Sequence, residues 1–169
     1  MNRIFAQSTV WWSIFLLSAV VLGSALYAQY VLYMEPCPLC IFQRVAVMAV
    51  GALALVFALI GFVTPKRCVA LLGNGLISIA ALVGLGIAAQ HIYIQNLPEA
   101  DVPACGPGLD YMIETMPFND MVAKVLGGSG ECASVEPIMG VPLPIWSALF
   151  FTGVLVWLWG SWFKNRPTK

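Results

Sequence analysis

The chain has 169 residues, 60% of them hydrophobic and only 9% charged, with a formal net charge of zero and a mean hydropathy of +0.88. A soluble domain carries about a quarter of its residues charged, so a water-facing surface cannot be built from this composition and most of the exterior must face lipid. The balanced charge gives no reason to expect nucleic acid or an acidic partner.

Four apolar stretches follow one another, at about residues 10–31, 41–63, 69–94 and 145–163. Each supplies the roughly 20 apolar residues that a hydrocarbon core about 30 Å thick demands. The first could be read as a signal peptide. Its apolar run is too long for one, and Leu26-Tyr27-Ala28 lacks the small residue wanted before a cleavage site. The expected fold is therefore an all-α, four-transmembrane-helix bundle forming a single membrane domain over residues 1–169.

The charges orient it. Arg3, Lys66, Arg67, Lys164, Arg166 and Lys169 fall on one side of the four spans, and the positive-inside bias makes that side cytoplasmic, with both termini. The acids Glu35, Glu99, Asp101, Asp110, Glu114, Asp120, Glu131 and Glu136 lie in the two opposite loops, at about 32–40 and 95–144. Trp11, Trp12, Tyr27, Tyr30, Tyr33, Trp146, Trp157, Trp159 and Trp162 sit near span ends, as interfacial aromatics do. The cytoplasmic loop, about 64–68, is short enough to make spans two and three a tight hairpin.

Within the long loop, Phe118, Met121, Val122, Val125 and Leu126 recur at helical spacing, after Pro117 and before Gly127-Gly128. The pattern predicts a short amphipathic helix on the outer membrane surface. The competing reading packs it on the other loop or on a partner.

The cysteines divide by position. Cys37 and Cys40 form Cys-Pro-Leu-Cys just before the second span, Cys105 and Cys132 bracket the amphipathic segment, and Cys68 lies alone at the cytoplasmic end of span three, where a small buried apolar role is expected. A Cys-x-x-Cys pair reads as a redox dithiol or as half a zinc site. The wide spacing of the second pair and the oxidising side of the membrane favour redox and no metal. Pro38 suits a first helical turn, placing Cys40 at a helix N-terminus where a thiolate is stabilised.

Arg44 lies one turn beyond Cys40 on the same face, and a charge inside a span is a functional candidate by default. Snorkelling to lipid phosphates is its plainer role. His91, the only histidine, lies at similar depth in span three and could donate to a bound carbonyl. No haem, iron–sulfur or nucleotide motif is present, so an acceptor dissolved in the bilayer, a quinone, fits best.

The whole pattern resembles the disulfide bond formation protein B (DsbB) family of bacterial inner-membrane quinone reductases. The resemblance rests on the four spans and on Glu35-Pro36-Cys37-Pro38-Leu39-Cys40 followed by Gln43-Arg44. It rests also on the spaced Cys105 and Cys132, and on Ser129-Gly130-Glu131-Cys132 before Met139-Gly140-Val141-Pro142. It implies a relay in which a DsbA-like periplasmic thiol oxidase attacks a Cys105–Cys132 disulfide at Cys105. Cys132 then attacks the Cys37–Cys40 pair, and the Cys40 thiolate passes electrons to ubiquinone or menaquinone near Arg44 and His91. The family often carries an acid where this chain has Gln43. Gly127, Gly128 and Gly130 would let the segment before Cys132 move between the pairs. Three rivals stand beside the relay: a structural membrane protein with stabilising disulfides, a zinc-binding sensor, and a relative that recycles a dedicated partner.

Overall fold

The four apolar stretches are helical except for Val31 at the end of the first, and each helix begins before its stretch does. The computed structural model describes residues 2–63, 67–106, 109–134, 137–138 and 140–164. Helix α1 covers Asn2–Tyr30, α2 Pro38–Val63, α3 Arg67–Gln95 and α7 Leu143–Lys164. All four are long and apolar enough to cross a membrane, and the chain is a multi-pass, four-helix membrane bundle. The ends differ from the expected spans because an apolar run marks what lipid covers, whereas a helix continues until its hydrogen-bond ladder is interrupted. Pro38 does open α2, and α1 begins well before residue 10. Of the basic residues used for orientation, Lys66, Arg166 and Lys169 lie outside the described residues, as does the whole of 64–66 between α2 and α3.

The helices form a ring: α1 packs on α2, α2 on α3, α3 on α7, and α7 closes against α1. Close approach is achieved with small residues, as expected where lipid offers no hydrophobic drive between helices. A Cβ on Gly84 would fall 2.3 Å from the Phe151 ring, and one on Gly51 would fall 2.9 Å from Ser18 Cβ. Trp11, Ile14, Val50, Ala54, Ile77, Ala81, Val154 and Leu158 fill the interior around them. Toward the end holding Arg67 and Lys164, Asn74 Oδ1 accepts from Gln7 Nε2 and from Trp11 Nε1, both at 3.0 Å. Trp159 Nε1 donates to Ser78 Oγ at 2.9 Å, and that hydroxyl donates to Asn74 O. These bonds tie α1, α3 and α7 together inside an apolar core.

The opposite end carries the long loop. A 3-10 turn at Glu99–Asp101 leads to α4 (Leu109–Thr115), α5 (Phe118–Gly127) and the single turn α6 (Gly130–Ala133). A two-residue ribbon then pairs β1 (Pro137–Ile138) with β2 (Val141–Pro142), a small exception to the all-α expectation. The amphipathic helix is α5, and its inner face is covered by the bundle. Met121 and Val125 are buried with Leu39, Ile87, Ile94, Met112 and Cys132, while Phe118 and Leu126 stay exposed. The packed arrangement therefore accounts for half of the apolar face that the membrane surface was expected to cover.

Candidate active site

The local sequence sets the Cys-Pro-Leu-Cys geometry. Pro38 has no N–H to lose at a helix start and arrives with helical φ. One turn of α2 then brings Cys37 Sγ to 3.0 Å from Cys40 Sγ, while the Cys40 N–H points at Cys37 Sγ at 3.4 Å. The five cysteines stand as free thiols.

Cys105 and Cys132 are placed very differently. Cys105 is exposed and Cys132 is 1% exposed. Gly130 lies against the segment holding Cys105: its N–H points at Ala104 O at 3.5 Å, and a Cβ there would sit 3.0 Å from Cys105 Sγ. The single turn of α6 then carries Cys132 inward, where its thiol hydrogen-bonds with Cys37. That bond, together with burial, holds the Cys132 thiol well above the usual thiol range. Cys132 thus reaches one pair from inside while Cys105 faces out beside the same segment. Cys68 is exposed on the bundle surface at the other end, not buried as expected, because its position on α3 faces away from the ring.

Arg44 and His91 join this end. Arg44 Nη1 donates to Gln29 Oε1, and Nη2 donates to Ala25 O at 3.3 Å, which pins the guanidinium against α1. His91 is 2% exposed. Its Nε2 lies 3.2 Å from Cys132 O and 3.9 Å from Cys37 Sγ, and its Nδ1 lies 3.2 Å from Gln43 Nε2. Both ring nitrogens therefore face protein groups, although the residue also borders the cavity described next.

A cavity of about 720 Å³ opens between α1, α2 and α7, bordered by Cys37, Cys40, Arg44 and His91. Its walls are mostly apolar, with Leu17, Val21 and Ala25 on one side and Leu143 and Phe150 on the other, and Glu35 and Glu131 border it as well. That size lies within the range of small-molecule sites, about 300–1,000 Å³. Cys37, Cys40 and His91 also place three donor atoms within 4.8 Å of one another. The 3.0 Å sulfur separation is shorter than the roughly 3.8 Å that two thiolates about 2.3 Å from one tetrahedral zinc would keep.

The family model for "Disulfide bond formation protein DsbB" matches residues 7–160. The chain belongs to the disulfide bond formation protein B family. A relative of that name from Chromobacterium violaceum is 49% identical over 143 residues, covering 83% of this chain and 84% of its own. Another, from Acinetobacter baumannii, is 45% identical over 148 residues, covering 85% and 84%. A third, from Chromohalobacter salexigens, is 43% identical over 143 residues, covering 83% and 81%. The chain is thus a disulfide-bond-formation membrane protein.

Sequence reasoning missed Gln29, which holds Arg44, and gave Gln43 only as a departure from the family. A signal for the first was available. Gln29 is an amide inside an apolar stretch, and a buried polar group in lipid needs a partner.

Proposed function

We propose that the protein is a thiol:quinone oxidoreductase that reoxidises a DsbA-like periplasmic thiol oxidase, with both termini cytoplasmic and the cysteine end on the periplasmic face of the bacterial inner membrane. The observation that carries this reading is the burial of Cys132 against Cys37 while Cys40 borders an apolar cavity with Arg44.

The exchange balances as follows. A partner thiolate attacks Cys105 of a Cys105–Cys132 disulfide; the partner–Cys105 bond forms and Cys132 leaves with the electron pair. Cys132 attacks Cys37 of a Cys37–Cys40 disulfide; the Cys132–Cys37 bond forms, the Cys37–Cys40 bond breaks, and Cys40 departs as a thiolate. The partner's second thiol attacks the partner–Cys105 bond, closing the partner's own disulfide and releasing Cys105 as a thiolate. Cys105 then attacks Cys132; the Cys105–Cys132 bond re-forms, the Cys132–Cys37 bond breaks and Cys37 leaves as a thiolate. The net result is an oxidised partner and a Cys37/Cys40 dithiol beside the cavity.

A quinone (ubiquinone or menaquinone) fits an apolar cavity of this volume with one fixed cation, and when bound it supplies an acceptor for two electrons and two protons. Arg44, held by Gln29 and Ala25 O, is placed to bind and polarise an oxygen there and to stabilise an anionic sulfur one turn above it. The apolar walls exclude water from the thiolate.

The test mixes purified protein, a reduced thioredoxin-fold oxidase and a soluble quinone, and follows quinone absorbance. Reduction that disappears in Cys40→Ser is expected. No reduction, or reduction indifferent to Cys40→Ser, would overturn the proposal.

A further inference from the structure

His91 sits where it could touch a ligand, yet its hydrogen bonds run to the two residues whose sulfurs must meet. The Cys132 carbonyl oxygen can only accept, and it lies 3.2 Å from Nε2, so Nε2 carries the proton. The same N–H lies 3.9 Å from Cys37 Sγ and so spans attacker and target together. With the proton on Nε2, a neutral ring leaves Nδ1 bare and in need of a donor. The amide nitrogen of Gln43 stands there at 3.2 Å. Gln43 is 3% exposed, so no solvent competes for that position.

One contact points the other way. Gln95 Nε2 lies 3.5 Å from His91 Nε2, which would suit a bare Nε2. An amide can be turned end for end, and Gln95 Nε2 already has Ser134 O at 3.4 Å. The Cys132 carbonyl belongs to the backbone and cannot exchange donor for acceptor, so it decides the tautomer.

We propose that Gln43 is a positioning residue for thiol exchange, holding His91 as the neutral Nε2–H tautomer so that this N–H clamps the Cys132 backbone over Cys37. The inference rests on the relay proposed above and concerns the step in which the Cys132–Cys37 bond forms and the Cys37–Cys40 bond breaks. His91 neither gives nor takes a proton in that step. It holds the attacking residue in place, and this role is distinct from contact with a quinone carbonyl. The amide in place of an acid matters here. A carboxylate at position 43 could only accept, so it would draw a proton onto Nδ1 and turn the ring into a cation while leaving the Nε2–H clamp intact.

His91 is the only histidine, so tag-free protein labelled with 15N-histidine reports one pair of ring nitrogens. At pH 7 the wild type should show a protonated Nε2 and a bare Nδ1. Gln43→Met keeps the volume but removes the donor. It should give mixed tautomers and slow formation of the Cys37–Cys132 bond, read by acid quench and thiol alkylation, about tenfold, as loss of a buried hydrogen bond implies. The KM for quinone should not move. Gln43→Glu should protonate both nitrogens and restore the exchange rate. A wild-type ring protonated at Nδ1, or a Gln43→Met protein with unchanged tautomer and rate, would overturn the proposal. Because the wild-type spectrum and Gln43→Glu are read separately, a Gln43→Met protein that fails to fold does not shield it. A wild type that forms no Cys37–Cys132 bond at all sinks the relay itself. That failure is distinguishable from one in which the relay runs and Gln43 has no part.

Discussion

The Arg44 guanidinium is fastened to Gln29, a side chain fifteen residues earlier on the neighbouring helix. A snorkelling arginine would reach for the interface; this one is turned across the helix pair and shares a cavity with Cys40.

Gln29→Leu should therefore release the guanidinium without removing its charge. The expected result is a rise in the KM for quinone of about five- to tenfold, the scale of one charge-assisted hydrogen bond, with kcat changed much less. Arg44→His should weaken quinone affinity further, while alkylation shows both cysteine pairs still forming. Steady-state kinetics with a soluble quinone checks both, and an unchanged KM in Gln29→Leu would show that the anchor has no part in binding.

The Cys132 thiol is held above its ordinary value of 9.0 by its bond to Cys37 and by burial, which gives the exchange step a direction in pH. Only the thiolate attacks. Cys132 leaves the Cys105 disulfide as a thiolate, and burial favours its capture of a proton at neutral pH, so the rate should climb with pH from 6 through 9 without levelling off. Quenched-flow alkylation would show it. A plateau below pH 9 would mean that Cys132 attacks before it captures a proton.

The glycines before Cys132 separate into packing and freedom. Gly128 has φ 86° and a Cβ there would meet Ile94 Cδ1 at 2.2 Å, whereas Gly127 has open space. Gly128→Ala should cost about 1–3 kcal/mol through strain and collision, and Gly127→Ala should be neutral or slightly stabilising as a helix former. Thermal unfolding in detergent distinguishes them. Equal effects would show that mobility, not close packing, fixed both residues. Any test of loop motion belongs at Gly127, since Gly128 and Gly130 are required by their neighbours.

Asn74→Leu should destabilise the bundle by about 1–3 kcal/mol, because it strands the Gln7 and Trp11 donors in the core. The thiol chemistry at the far end should persist in whatever fraction stays folded. Loss of exchange in fully folded Asn74→Leu protein would show that the two ends of the bundle are coupled.

These cases also show what was legible in the chain. Apolar runs of span length gave the four helices, because lipid imposes a length and a composition that local sequence must meet. They did not give the helix ends, which depend on hydrogen bonding outside the apolar zone, as the early start of α1 shows. The periodicity of Met121 and Val125 announced an apolar face but not its cover, which is Ile94 and Leu39 from two other helices. Cys37, Cys40 and Arg44 could be aligned because the first immediately precedes the helix that carries the other two. The partners of Gln29 and Gln43 and the inward turn of Cys132 could not be read, since each is defined by a residue far away in sequence.

The contrast between an exposed Cys105 and a buried Cys132 has a last consequence. Of this pair, small thiols in the surrounding medium can strike only the outward sulfur, and in the proposed relay what they deliver there must still cross to the interior by way of a residue they cannot reach. Access, and not potential alone, then guards the circuit against a short. The outer sulfur serves as a terminal and the inner one as an insulated lead.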